Sequence, residues 1–232
     1  MQNKIVNCNG IEISNKNKIC LIAGPCQLET EQHAMDMVGK IKEITEKYKI
    51  GLIYKTSFDK ANRTSLQGKR GAGLEKSLPI FDKVRQELKI PVLTDVHNVD
   101  QCKIVSKHVD ILQIPAFLSR QTDLLVSAAN TKKAVMVKKG QFSAPWDMQN
   151  VIKKLEDSSH IKELIQNELK IGQIRNEAKC LIEFFDIFEE LKNAINVKNK
   201  MMNTSFCRNF FIFGWFSFKE FNFSFSSKVK DV

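Results

Sequence analysis

One arrangement repeats along the first two thirds of the chain and constrains its fold more than any other feature. An apolar run rich in β-branched residues ends near a polar residue, a loop follows, and a helical pattern leads to the next run. Strands that alternate with helices in this way predict a parallel sheet with right-handed crossovers. There are five such runs: Ile19–Ala23, Gly51–Lys55, Pro91–Asp95, Val109–Ile114 and Ala134–Lys138.

The runs are apolar throughout rather than alternating, which fits a sheet covered on both faces or closed into a barrel. We therefore expect an α/β chain of the (β/α)8 TIM-barrel class with about five of the eight units. A doubly wound open sheet is the alternative. No Gly-x-Gly-x-x-Gly follows the first run, which disfavours a dinucleotide-binding fold.

The segments around these runs carry helix and turn signals. Thr30 is the expected N-cap of a first helix that ends near Tyr48. Asn9-Gly10, between two short alternating runs, predicts an N-terminal hairpin. Further helices are predicted over 74–88, 99–106 and 120–129, and over a stretch ending near 155.

Composition changes near residue 156. The chain has 232 residues and a net charge of +10, and residues 1–156 hold 25 basic and 16 acidic side chains. Residues 206–225 contain nine Phe. We expect an incomplete barrel domain over 1–156 and a divergent tail over 157–232, helical to about 200 and then Phe-rich. A changed reading frame produces such a pattern.

Several classes of protein are disfavoured by the same inspection. No run approaches 18 apolar residues and no signal-peptide core is present, so we expect a cytoplasmic protein without membrane contact. The six cysteines include no C-x-x-C pair, which fits reduced thiols. Phe58 is the only aromatic residue in the most basic loop, and a nucleic-acid surface normally supplies more stacking side chains.

Polar residues stand where the predicted strands end, and in a parallel α/β sheet these ends form the ligand site. Two of them are lysines, and a buried ammonium is costly unless it meets an anion. A lysine that extends past the strand end into solvent is the alternative explanation, which accounts for one such residue more easily than for two. The residues at the ends are Cys26, Lys55, Asp95, Gln113 and Lys138.

Two loops add further positive charge. The long loop 56–73 concentrates Lys60, Arg63, Lys69 and Arg70 among hydroxyl groups and glycines, which together suit phosphate binding. The loop after Lys138 adds a second basic segment with a glycine. The residues predict a site for a small, multiply anionic, phosphorylated substrate, with a solvated basic loop or a nucleic-acid patch as alternatives.

Seven motifs then follow one another in an order that resembles the 3-deoxy-D-manno-octulosonate 8-phosphate synthase family, also called 2-dehydro-3-deoxyphosphooctonate aldolase. The resemblance covers about residues 4–156. Lys60-Ala-Asn-Arg63 separates this family from the related heptulosonate 7-phosphate synthases, which carry Lys-Pro-Arg there. The motifs are Ile22–Cys26, Lys55–Arg63, Arg70–Glu75, Thr94–His97, Gln113–Phe117, Arg120–Asp123 and Val137–Phe142.

The resemblance implies a homotetrameric barrel that condenses phosphoenolpyruvate with D-arabinose 5-phosphate, without an organic cofactor, in lipopolysaccharide precursor synthesis. It assigns phosphoenolpyruvate to Lys55, Ser57, Lys60, Lys138 and Gln141, with the backbone near Ala116 on its phosphate. It assigns the pentose phosphate to Asn62, Arg63 and Thr64, with Arg63 reaching a neighbouring subunit's site. Asp95 and Gln113 shape the sugar and the reacting region. Lys55, Lys60, Asp95 and Lys138 are the expected catalytic residues.

Cys26 marks the metal-dependent branch of the family, in which this position is a thiolate ligand of a divalent ion. The family's further His, Glu and Asp ligands belong to motifs that are not found after residue 156. The resemblance therefore implies a metal whose partner ligands are absent. We expect a truncated family member with weak activity, or an inactive remnant that binds anions.

Overall fold

The first described segment is a two-stranded hairpin. β1 (Val6–Cys8) pairs antiparallel with β2 (Ile11–Ile13). Asn9 and Gly10 between them have φ angles of 48° and 88°. Positive φ at both central residues is what the favoured type I′ hairpin turn requires. The hairpin predicted from Asn9-Gly10 is confirmed.

Six parallel strands, joined by five helices, form the rest of the structure. The computed structural model describes residues 5–14 and 17–158, and the backbone of 164–167. The strands are β3 (Cys20–Ala23), β4 (Gly51–Lys55), β5 (Val92–Asp95), β6 (Ile111–Ile114), β7 (Ala134–Lys138) and β8 (Leu164–Asn167). The helices are α1 (Glu31–Tyr48), α2 (Leu74–Glu87), α3 (Val99–Val105), α4 (Thr122–Asn130) and α5 (Met148–Ser158).

The order of the strands decides between the two predicted sheets. Neighbours in the sheet are neighbours in the chain, from β3 to β8, and every pair is parallel. A doubly wound sheet reverses its order at a switch point, whereas a (β/α) barrel does not. The described sheet therefore has the topology of a barrel wall, and the predicted fold class is confirmed.

Alternate residues along the strands pack into two separate cores. One set, which includes Leu21, Tyr54 and Leu112, lies against the helices. The other set, which includes Ile53 and Leu93, lies on the opposite face of the sheet with the hairpin. The hairpin thus covers the inner face of the wall, and the loops after the strands lie at the far end.

α1 shows how local sequence sets an element's bounds. The Thr30 side chain accepts a hydrogen bond from the backbone N–H of His33 at 3.1 Å, as an N-cap does. Lys49 ends the helix in the left-handed region, with φ 53°. The predicted cap is confirmed.

The predicted helical tail is wrong over Leu164–Asn167. This segment is β8, which pairs in parallel with β7 from Val135 opposite Leu164 to Lys138 opposite Asn167. The open edge of β7 presents unpaired backbone groups, and pairing with them outweighs a modest helix propensity. The rest of the predicted tail, helical to about 200 and then Phe-rich, lies outside the described residues. The division at residue 156 stays a prediction.

The described part of the chain contains no helix that combines the length and the apolar character needed to cross a bilayer.

Candidate active site

The last inward-facing positions of four adjacent strands carry polar side chains. Each lies two residues beyond an apolar residue of the inner core, and alternate residues of a strand share a face. Asp95 and Gln113 are direct partners in the register of β5 and β6. Only 3% of Lys55, 7% of Asp95 and 5% of Gln113 is exposed. The four residues are Lys55, Asp95, Gln113 and Lys138.

Ser57 joins the strand ends to the basic loop. Its Oγ accepts hydrogen bonds from Lys55 Nζ at 3.2 Å and from Lys60 Nζ at 2.8 Å. Ser57 itself is fully buried. Two ammonium groups therefore converge on one hydroxyl group, an arrangement that concentrates positive charge beside a buried side chain.

Asp95 is the carboxylate that faces this charge. His97 Nε2 lies 3.0 Å from Asp95 Oδ2, and because an ionised carboxylate can only accept, this nitrogen carries the hydrogen. Burial alone raises the pKa of Asp95. The hydrogen bond from His97, the charges of Lys55 and Lys60 and a hydrogen bond from Ser57 together outweigh burial. They hold the pKa of that carboxyl well below its usual range.

The lysines respond in the opposite direction. Burial lowers the pKa of Lys55 to about 8, although the negative charge of Asp95 raises it in part. Burial also lowers the pKa of Lys138, and repulsion from Lys60 adds to that effect. Burial is the main cause of both shifts, so an anion bound beside these lysines would favour their protonated forms.

Three buried acceptors at the same place lack donors. Within the described residues, no hydrogen bond reaches Asp95 Oδ1, His97 Nδ1 or Gln113 Oε1. A buried acceptor without a donor costs about 1–3 kcal/mol. The site therefore combines clustered ammonium groups, which suit phosphate and carboxylate, with acceptors that suit hydroxyl groups.

Arg63 and Arg70, in the loop between β4 and α2, have different partners. Arg63 Nη2 donates to Gln27 Oε1 at 2.6 Å, and its Nε donates to the Lys69 carbonyl at 2.9 Å. Arg70 makes two hydrogen bonds to the carboxylate of Asp59. The loop is therefore folded on itself, with Arg63 directed back toward the loop after β3 of the same chain.

The remaining predicted residues lie around this cluster without joining it. Asn62, Thr64 and Gln141 are exposed on the loops, and within residues 5–14 and 17–158 no hydrogen bond connects them to the buried polar residues. Ala116 is half-buried in the short helical turn Ala116–Leu118 that follows β6. These positions lie in the loops that follow the strand ends, and their assignment to the substrates stays a prediction.

Cys26 lies close enough to Lys55 and Lys138 to affect both electrostatically. A structural or catalytic metal site in a protein normally uses three or four protein ligands. In the part of the chain that the structure describes, no three His, Cys, Asp or Glu side chains are grouped for a metal ion. The described residues therefore do not fit the metal that Cys26 implies, and no catalytic step is derived through it.

Two residues of the site were not assigned from sequence. His97 follows Asp95 by two residues, so the spacing that places Asp95 on the inner face also pointed to His97. Gln27 follows Cys26 and contacts Arg63 across 36 positions of sequence, and no local signal predicts such a contact.

The wall of consecutive parallel strands, with cationic and acceptor side chains at its carboxyl end, defines a chain of the TIM-barrel type with a polar cluster where barrel enzymes place their sites. The model of the DAHP synthetase I family matches residues 2–195. The chain belongs to this family, and the predicted resemblance is confirmed at that level.

Relatives with curated names agree with this membership. A 2-dehydro-3-deoxyphosphooctonate aldolase from Mesorhizobium japonicum is 58% identical over 158 residues, which are 68% of this chain and 57% of the relative. A protein of the same name from Chelativorans sp. is 63% identical over 147 residues, 63% of this chain and 53% of the relative. One from Brucella ovis is 56% identical over 158 residues, with the same coverage as the first. The chain spans little more than half the length of these relatives.

Proposed function

We propose that this chain binds phosphoenolpyruvate and D-arabinose 5-phosphate and condenses them, with water, to 3-deoxy-D-manno-octulosonate 8-phosphate and inorganic phosphate. The observation that carries the proposal is the convergence of Lys55 and Lys60 on Ser57, opposite Asp95 and beside Lys138. The names of the relatives support the choice of substrates.

Phosphoenolpyruvate suits the charges of the cluster. It carries a phosphate and a carboxylate on adjacent positions, so it offers anionic groups to more than one lysine. The lowered pKa values of Lys55 and Lys138 reflect burial and mutual repulsion. A bound anion relieves that repulsion and favours the protonated forms.

The hydroxyl groups of the pentose match the buried hydrogen-bond acceptors of the site. Its hydroxyl groups can donate to Asp95 Oδ1, His97 Nδ1 and Gln113 Oε1, the three buried acceptors without donors in the described residues. Its phosphate, by the family assignment, belongs to Arg63 with Asn62 and Thr64. The sugar then lies between the strand ends and the loop, with its aldehyde toward the enol phosphate.

In the condensation, C3 of the enol phosphate attacks the aldehyde carbon, water adds at C2, and cleavage of the C2–O bond releases phosphate. Lys55, Lys60 and Lys138 stabilise charge on the phosphate and carboxylate and hold C3 near the aldehyde. Asp95 and Gln113 orient the sugar. No covalent bond to a lysine is required.

The test measures release of inorganic phosphate from phosphoenolpyruvate in the presence of D-arabinose 5-phosphate, with and without added divalent metal. Calorimetry measures phosphoenolpyruvate binding in parallel. Lys55→Met should abolish both signals, whereas Lys153→Met, an exposed lysine on α5, should change neither. Phosphate release that survives Lys55→Met contradicts the proposed site.

A second candidate is an anion-binding remnant that does not turn over. The missing three-ligand group around Cys26 in the described residues favours it. The remnant binds phosphoenolpyruvate in calorimetry with the same dependence on Lys55 yet releases no phosphate under any metal condition. The parallel measurements therefore separate the two candidates.

The family pattern extends the proposal to a homotetramer in the cytoplasm. The free thiols Cys8, Cys20, Cys26 and Cys102 fit a reducing compartment. Light scattering of the purified chain and fractionation of the source cell test these two points. Loss of activity on dialysis against a chelator, restored by one divalent ion, tests the metal.

A further inference from the structure

Arg63, which the proposed function assigns to the sugar phosphate, is held by two neutral acceptors. These are the amide oxygen of Gln27 at 2.6 Å and the backbone carbonyl of Lys69 at 2.9 Å. Within residues 5–14 and 17–158, no carboxylate lies within salt-bridge distance of Arg63, and Nη1 makes no hydrogen bond. Arg63 is thus fixed in direction while its charge is not neutralised.

The same loop contains a second arginine, which a carboxylate holds in place. Arg70 Nε donates to Asp59 Oδ1 at 2.7 Å, and its Nη2 donates to Oδ2 of the same carboxylate. Such a bidentate pair cancels the charge of both partners. Arg70 therefore helps to close the loop, whereas Arg63 keeps a full positive charge for an external anion.

The orientation of Gln27 is set by a third residue. Gln27 Nε2 donates to Glu29 Oε1 at 2.8 Å, and because a carboxylate only accepts, the amide nitrogen must face Glu29. The amide oxygen then faces Arg63. With the amide reversed, two donors would face each other and the contact with Arg63 would be lost.

The backbone around Gln27 is tied to the buried part of the site. Gln27 and Ser57 form an isolated parallel bridge. The N–H of Leu28 donates to the Ser57 carbonyl at 2.8 Å. The segment that carries Gln27 is therefore hydrogen-bonded to the segment that carries the hydroxyl group joining Lys55 and Lys60.

We infer that Gln27, oriented by Glu29, is a positioning residue that directs the uncancelled charge of Arg63 toward the phosphate of the second substrate. This inference rests on the proposed function for the assignment of Arg63 to the sugar phosphate. A glutamine serves here because its oxygen orients the guanidinium group without supplying a negative charge that competes with the substrate.

Two substitutions separate orientation from charge. Gln27→Met keeps the length of the side chain and removes the acceptor, so the affinity for D-arabinose 5-phosphate should fall roughly tenfold, the worth of one charge-assisted hydrogen bond. Gln27→Glu restores an acceptor but neutralises Arg63, so the affinity should fall at least as far. The matched controls are Gln86→Met and Gln86→Glu, at an exposed position of α2.

The decisive measurement is a double-mutant cycle by calorimetry on the full chain, with D-arabinose 5-phosphate as ligand and neutral D-arabinose as reference. The effect of Gln27→Met should vanish when Arg63 is already Met. An equal loss in both backgrounds overturns the inference, as does a Gln27→Glu variant that binds as tightly as the original chain. If Gln27→Met does not fold, Glu29→Met provides a second variant, expected to lose about threefold because the amide can rotate.

Failure of this inference is distinguishable from failure of the proposed function. Phosphoenolpyruvate binding depends on the lysine cluster and should be unchanged in every Gln27 variant. If D-arabinose 5-phosphate does not bind the original chain, the inference is overturned even where phosphoenolpyruvate binds. If the cycle behaves as expected while phosphoenolpyruvate does not bind, the positioning role holds and the proposed reaction does not. Where turnover is measurable, the KM for the pentose phosphate should rise with kcat unchanged.

Discussion

Replacement of Asp95 by Asn tests the electrostatics of the candidate site most directly. Burial lowers the pKa of Lys55 to about 8, and Asp95 is the strongest influence that opposes this effect. Removal of an opposite charge at close range lowers the pKa of a neighbouring ammonium by about 1–3 units. At pH 7.5, the protonated fraction of Lys55 should fall from about three quarters to one quarter or less.

The assay is calorimetric binding of phosphoenolpyruvate from pH 6 to pH 9. In the original chain, affinity should fall as pH rises through about 8, where Lys55 loses its proton. In Asp95→Asn this decline should begin about 1–3 pH units lower. As pH falls below its lowered midpoint, the variant should regain affinity, because Lys55 is protonated again and the lost carboxylate no longer repels the ligand.

The two pH curves should therefore converge toward low pH, and a chain that simply folds poorly would not give that pattern. Asp123→Asn, an exposed acidic residue in the first turn of α4, removes the same charge outside the site and should leave the midpoint unchanged. The reasoning is refuted if Asp95→Asn and the original chain show the same midpoint. It is also refuted if the original chain shows no decline between pH 7 and pH 9.

Three predictions concern the free energy of unfolding, measured by urea denaturation. The pKa of Lys55 is lowered in the folded chain, so between about pH 8 and 10.5 the unfolded chain binds a proton that the native chain lacks. The free energy of unfolding should therefore rise over this interval by about 3 kcal/mol, and Lys55→Met should abolish the rise. Gly24→Ala should destabilise the chain by about 2–3 kcal/mol, because the new Cβ would lie 2.1 Å from the Lys55 carbonyl oxygen. Gly39→Ala in α1, with open space around the new Cβ, should stabilise slightly, and equal effects of the two substitutions would contradict this expectation. Asp110→Asn should cost about 2–3 kcal/mol, because it breaks the paired hydrogen bonds from Arg85 at 2.9 and 3.0 Å. A loss below about 0.5 kcal/mol would show that this ion pair does not stabilise the fold.

The sequence predicted the buried centre of the site because that centre follows from strand geometry alone. Lys55, Asp95 and Lys138 end apolar runs, and Gln113 is the last residue but one of its run. Parallel strands bring their carboxyl ends to one edge. The two-residue alternation then places all four on the inner face. None of these steps requires a knowledge of loop structure.

The loop contacts could not be predicted in the same way. The contact between Gln27 and Arg63 joins two loops, and its geometry depends on how the segment after Ser57 folds back on itself. β8 posed a similar problem, because the helical pattern around Leu164 is local while its pairing with β7 is not. For β8 tertiary pairing overrides a local preference, whereas the contact between Gln27 and Arg63 has no local signal at all.

Phosphoenolpyruvate binding and the condensation reaction depend on different parts of this sheet. The residues proposed to hold phosphoenolpyruvate lie at the ends of β4, β6 and β7 and in the loops after these strands. The four consecutive strands β4–β7 fix their mutual geometry, which does not require a closed barrel. β3 and β8 remain the outer strands of the described sheet, and an uncovered edge exposes backbone groups and the inner face to solvent. Water that enters through such an edge screens the lysine cluster and weakens charge stabilisation in the transition state more than it weakens ground-state binding. Phosphoenolpyruvate binding should therefore tolerate an open barrel, whereas the rate of condensation should depend on whatever covers β3 and β8.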